Sequence, residues 1–400
     1  MQYGVAGPYL SGMSTLAFYG DSEGSEVLVI DVDAMCLKGR VPTGLGPYPV
    51  DRAGTNFVLA STRKENSVTP IEISSLSALP AISLPHTPRS STIHPETGLI
   101  LVSGGNKPIT SIIDSRSWTV LRSYGEAVTG KVEDFGGSLA CGHERWVDAE
   151  RFFLIDRLRR RLVLYRFGVD DPIWTLNTPT SCHHLVADPQ PDPPILYAMC
   201  EGNPLAKVPP SILKLTPAGD GFTVEAHVFL PVETSLIGSS GGHHVDLSGD
   251  YLYAGSAEGH AYVFRKDTLT FVAKIVTGAG DGHTGFIDAA GRSFGITINH
   301  TARFVTVFDR ATHQRIKDIV VSNSDATPQR RTQGHTSWKR DGFFYIMASL
   351  DATFHEIDVV SGEVKRCLVL EPAQTGGAKP FPMQGTFATD VPGAFCTHCC

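Results

Sequence analysis

Histidine recurs in this chain at one kind of place, beside glycine, cysteine or a second histidine. The runs are Cys141-Gly142-His143, Cys182-His183-His184, Gly242-His243-His244, Asp281-Gly282-His283 and Gln333-Gly334-His335. Imidazole ligates zinc, copper, iron and nickel, while thiolate favours zinc and copper(I). A fold that gathers these runs makes one ligand set of His143, His183, His184, His243, His244, His283 and His335 with Cys141 and Cys182. The tail adds Cys396, His398, Cys399 and Cys400. It is able to cap such a site or take up metal itself, although its spacing is not a standard zinc-finger pattern. Glu144 and Asp246 are the candidate acid/base groups, with Arg145, Asp281 and Trp338 near the same runs. A carboxylate there orients a ligating imidazole through its second nitrogen, or acts as general base for a metal-bound water.

A single histidine at a strand start is ordinarily a hydrogen-bonded structural residue. Recurrence at equivalent positions is what points to metal. The other histidines fall off the pattern. His94 sits in the turn Ile93-His94-Pro95-Glu96-Thr97-Gly98 and His260 in the turn Glu258-Gly259-His260. His86, His227, His300, His313 and His355 are assigned to surfaces or turns. Cys36, Cys200 and Cys367 lie in strand-like runs and read as buried packing residues.

The elements that position these runs follow from a repeat. Each copy has a small or polar entry, a strand, a turn with Gly or Asp, and three further strands. The copy from Gly242 shows it: Tyr251-Leu252-Tyr253-Ala254-Gly255, then Gly259-His260-Ala261-Tyr262-Val263-Phe264, then Phe271-Val272-Ala273-Lys274-Ile275-Val276. The order restarts near Tyr48, Arg89, Cys141, Cys182, Gly242, Asp281 and Gln333, at the roughly 40–60-residue spacing of four-stranded propeller blades. Residues from Ser14 to about Pro42 supply only the later strands of a copy. Gln384-Gly385-Thr386-Phe387-Ala388-Thr389 supplies the missing innermost one and closes the ring. The predicted fold is therefore all-β: a single β-propeller domain over residues 1–400, of about eight blades, with seven as the alternative. Innermost strands run alongside the axis, so their equivalent ends meet at one mouth.

Composition agrees. Gly (40) and Pro (26) are abundant, as many turns require, and 42% of residues are hydrophobic, enough for a real core. The net charge of −7 argues against a nucleic-acid partner. The cluster Arg157, Arg159, Arg160, Arg161 reads as a hairpin turn. No apolar run reaches the roughly 20 residues of a membrane span. No signal peptide is visible, so the expected location is cytoplasmic, or periplasmic or secreted if the chain was trimmed. Gly278-Ala279-Gly280-Asp281-Gly282 enters a strand rather than a helix and is not a dinucleotide fingerprint. No Gly-x-Ser-x-Gly elbow and no Trp-Asp repeat signature occurs.

With these blade entries and turns such as His94-Pro95-Glu96-Thr97-Gly98, the chain resembles the YncE-like and cytochrome d1-like propeller superfamily, which implies the fold. The His243-His244…Gly255…Glu258-Gly259 region and the His-plus-Cys entries look like the periplasmic zinc metallochaperones of the AztD type. That likeness implies His and Cys ligands for zinc and a metal-accepting partner protein. The chain departs from that type in showing no signal peptide and no compact Asp/His-rich cluster. It shares only a general axial-histidine arrangement with carotenoid-cleaving oxygenases and nitrous oxide reductase.

The expected function is zinc or copper handling at an axial His/Cys site. The alternative is a copper- or iron-dependent oxidoreductase acting on a small-molecule substrate. A metal-free lactonase-type hydrolase and an interaction scaffold follow.

Overall fold

The computed structural model describes residues 15–128, 131–132, 137–138, 144–188, 193–335 and 337–388. Eight four-stranded antiparallel blades account for nearly all of them. The innermost strands, in blade order, are Pro382–Ala388, Pro47–Arg52, Pro88–Ile93, Arg145–Trp146, Cys182–Asp188, Gly242–Ser248, Asp281–Ala289 and Ser337–Arg340. Each restart read from the sequence falls at or a few residues before one of them. Seven blades is excluded.

Blade 1 is closed as the sequence predicts. Leu16–Asp21, Glu26–Asp31 and Cys36–Pro42 are its outer three strands, and Pro382–Ala388 pairs with Leu16–Asp21. Joining the two ends of the described chain in one sheet removes the open edge at which a ring would part. Two short 3₁₀ turns are the only helical segments among the described residues.

Alternation along the strands explains the packing. Successive side chains point to opposite faces, and in a propeller both faces of each blade meet a neighbouring blade. The middle strands are therefore apolar throughout, as in Phe152, Phe153, Leu154 and Ile155. Each junction of neighbouring blades has its own apolar cluster, so eight clusters circle the axis. Each fully buried Leu, Val or Phe in them contributes about 1.5–3 kcal/mol. Strands that end on Asp turn as their sequence suggests: Asp309 Oδ1 accepts from Ala311 N at 2.9 Å and Thr312 N at 3.0 Å.

Cys36 and Cys367 are corrections to the sequence reading. They stand on the outermost strands and are exposed. Those strands have no further strand beyond them, and one side-chain row faces solvent. The Arg157–Arg161 segment is the expected turn between two strands. Its arginines meet carboxylates: Arg159 pairs with Glu126, and Arg161 with Asp156.

Candidate metal centre

The innermost strands share a local irregularity that decides where their histidines point. In blade 6, Gly242 pairs with Ser256 and Val245 with Ala254, so His243 and His244 together oppose one residue, Gly255. In blade 5, Cys182 pairs with Cys200 and Leu185 with Ala198, so His183 and His184 oppose Met199. Blade 7 repeats this at Gly282 and His283. Each is a β-bulge, which breaks the alternation and re-aims side chains that a regular strand would send to opposite faces. The same slot holds Tyr48-Pro49 in blade 2, Arg89-Ser90 in blade 3 and Met383-Gln384 in blade 1.

Both members of each histidine doublet consequently join one cluster. Ring centroids stand 4.0 Å apart for His183–His243, 4.0 Å for His184–His244, 4.9 Å for His243–His244 and 3.8 Å for His244–His283. His335, entering blade 8, lies 5.6 Å from His283. Six of the seven entry histidines picked from the sequence are thus assembled, from four consecutive blades.

His300 completes the cluster and is a correction. Its ring is 4.5 Å from His335, 5.3 Å from His283 and 5.5 Å from His243. It follows Asn299, the last residue of the second strand of blade 7. In an antiparallel hairpin the end of the second strand lies beside the start of the first. His300 therefore opens on the same mouth as His283. Counting the residue after each second strand as part of the mouth finds His300, and also Arg63, Arg157 and Glu201.

Two groups have one nitrogen per residue lying within 4.8 Å of every other: His243, His283, His300 and His335, and His183, His243 and His244. Tetrahedral zinc with bonds of about 2.0–2.1 Å needs nitrogens about 3.4 Å apart, so small side-chain rotations close either group on an ion. Gly282 leaves the room for this. A Cβ at that position would sit 2.6 Å from His300 Nε2 and 2.8 Å from His243 Nδ1. Space for imidazoles, rather than a tight turn, is what this glycine provides.

Charged groups surround the cluster unevenly. Glu201 Oε1 lies 3.4 Å from His183 Nδ1, and Arg157 holds the same carboxylate bidentately at 2.6–2.9 Å. This is the carboxylate-to-imidazole contact that orients metal-binding histidines. On the opposite side Arg331 Nη1 meets His335 Nε2 at 2.5 Å, and the Tyr48 hydroxyl lies 3.1 Å from His335 Nδ1. Arg89 and Arg63 stack over the Tyr48 ring. Burial, then His300, Arg331, Arg89 and His243, holds the His335 pKa well below its ordinary value, so the ring is neutral at pH 7.

The other candidates are placed elsewhere. Cys182 Sγ lies 3.1 Å from Cys200 Sγ, buried in the apolar cluster between blades 4 and 5. Asp246 accepts from Thr284 N at 2.9 Å and so ties blade 6 to blade 7. Asp51 does the same for Ser91, between blades 2 and 3. Glu144 is buried and bonded to Thr110 of blade 3, and burial raises its pKa to about 8. Neither acid belongs to the two histidine groups. Cys141, His143, Cys396, His398, Cys399 and Cys400, and the side chains of Asp281 and Trp338, lie outside the described residues. His86, His313 and His355, assigned to surfaces or turns, are all buried; His86 and His313 stand in connecting segments and His355 on a strand. Each fits between strands with a hydroxyl partner: Ser111, Tyr253 and Thr353.

No family model and no curated protein matches the chain. Solved structures do. AztD from Citrobacter koseri superposes with a TM-score of 0.62 at 11% identity, covering 94% of this chain and 98% of that one. Its apo structure gives 0.60 at 13%, with the same coverage. The dihydro-heme d1 dehydrogenase NirN, in complex with DHE, gives 0.47 at 14% identity; the match covers 90% of this chain and 64% of NirN. The likeness to AztD read from the blade entries is thus a likeness of fold.

Proposed function

We propose that this protein binds a transition-metal ion, zinc or copper, at the axial mouth and handles it as cargo. The observation that carries the reading is the convergence of seven imidazoles from four blades, six of them in two overlapping groups of ligand-ready nitrogens. Imidazole nitrogens gathered this closely are a donor set that fits a divalent cation. His243, His283, His300 and His335 would hold it in one group, and His183, His243 and His244 in the other. Among the described residues the donors are imidazole only, which suits zinc(II) and copper(II) better than copper(I). The shared fold with AztD, whose type the sequence resembles, supports zinc first.

A second reading is a metal-dependent oxidoreductase. It is favoured by one fact: the cluster holds more imidazoles than a closed four-coordinate site takes up. Elemental mass spectrometry on untagged protein purified without chelator tests the reading, beside a His243→Ala/His283→Ala variant. Near-stoichiometric zinc or copper that is lost in the folded variant supports it. Absence of metal even after reconstitution overturns it.

A further inference from the structure

The two histidine groups overlap in one residue, and that overlap has a chemical consequence. His243 belongs to both. Its ring contacts His183 at 4.0 Å and His244 at 4.9 Å, and on the other group His283 at 5.1 Å, His300 at 5.5 Å and His335 at 6.1 Å. The remaining members come from two pairs of blades, with His244 and His283 facing each other across the divide at 3.8 Å. His183 and His244 come from blades 5 and 6, and His283, His300 and His335 from blades 7 and 8. Within the first set His184 adds a further ring, 4.0 Å from His244. A Cβ at Gly282 would sit 2.8 Å from His243 Nδ1 and 2.6 Å from His300 Nε2, so Nδ1 lies on the side of the blade 7–8 group.

We propose that the cluster holds two metal ions at once, in adjacent positions joined by His243. This rests on the metal-binding reading above. One ion takes His283, His300 and His335 with His243 Nδ1. The other takes His183 and His244 with His243 Nε2. An imidazole has one lone pair and one N–H when neutral, so bridging requires loss of the N–H proton to solvent. The balance is one proton released when the second ion binds, with no change of oxidation state.

The surroundings make the two positions unequal. Beside the first set the Glu201 carboxylate against His183 is balanced by Arg157, whereas in the second Arg331 contacts His335 directly. A cation is repelled by that guanidinium. The blade 5–6 position therefore fills first, and the blade 7–8 position second and more weakly.

The test is a titration of metal-free full-length protein with zinc(II), repeated with cobalt(II) for its visible spectrum, with ion content measured after desalting. The wild type is expected to bind two equivalents in two steps, with proton release in the second. His300→Ala should lose the weaker step and keep the tighter one. His183→Ala should lose the tighter one. Circular dichroism checks that both variants are folded, and His300→Gln repeats the first arm with a side chain nearer in size. Saturation of the wild type at one equivalent overturns the two-ion proposal while leaving metal binding intact. So does loss of the same single step in both variants. No binding by the wild type overturns the metal-binding reading itself.

Discussion

His300 and His335 face each other at 4.5 Å although one follows the second strand of its blade and the other precedes the innermost strand of the next. Ends of second strands and starts of first strands share one mouth of the ring, so each blade has two places from which to supply a ligand. His300→Ala should therefore weaken metal retention as much as His283→Ala, about ten-fold or more. Dialysis against a chelator of known affinity measures it. An unchanged His300 variant would remove the second-strand turns from the site.

Arg331 competes with metal for His335. Its Nη1 takes the Nε2 lone pair, and its charge repels a cation. Arg331→Gln should raise affinity at the blade 7–8 position several-fold, and Arg331→Lys should fall between. Competition titration reads the change. A weaker site in the Gln variant would show that the guanidinium instead organises the ligand.

Gly282→Ala places a methyl group 2.6 Å from His300 Nε2 and 2.8 Å from His243 Nδ1. The backbone there tolerates alanine, so the fold should survive while metal affinity drops. Thermal melts that match wild type, with reduced ion content, are the expected pair of results.

The ring, its closure and the axial mouth were legible in the sequence because strand spacing, Asp-ended turns and the half-copy at the start are local patterns. Six axial histidines were legible for the same reason. His300 was not, because its turn resembles any other and only the hairpin's return places it. Glu201 was hidden likewise, directly after a core cysteine. Cys182 misled: it precedes His183 in sequence, but the bulge begins after it, and its side chain turns into the core opposite Cys200. The burial of Cys36 and Cys367 was misjudged because strand propensity does not separate inner strands from outer ones.

Cys182→Ser puts a hydroxyl into the blade 4–5 core. It should cost about 1–3 kcal/mol of stability and leave ion content unchanged. Denaturant midpoints and elemental analysis on the same sample separate the two effects. A loss of metal without a loss of stability would return Cys182 to the ligand set.

Stability should peak in mildly acidic solution, from two opposed linkages. His86 and His355 have pKa values lowered by burial from 6.5 to about 4. The unfolded chain takes up protons below pH 6.5 that the native state refuses, so stability falls as pH drops from 6.5 to 4, by about 3 kcal/mol for each ring. Glu144 acts oppositely. Its folded pKa is raised from 4.5 to about 8, so the native state keeps a proton that the unfolded chain gives up. Stability from this group is full below pH 4.5 and is lost as pH rises towards 8. Glu144→Gln should flatten the limb above pH 6.5 and steepen the rise in stability between pH 4.5 and 6.5, where Glu144 opposes the histidines. Guanidinium midpoints from pH 4 to 9 check both limbs.

X-ray absorption at the edge of the bound metal tests an all-imidazole metal centre on the propeller axis most directly. A first shell of nitrogens near 2.0–2.1 Å with the outer-shell scattering of several imidazoles is the predicted result. A sulfur shell near 2.3 Å would contradict it, by giving the ion to the cysteines instead.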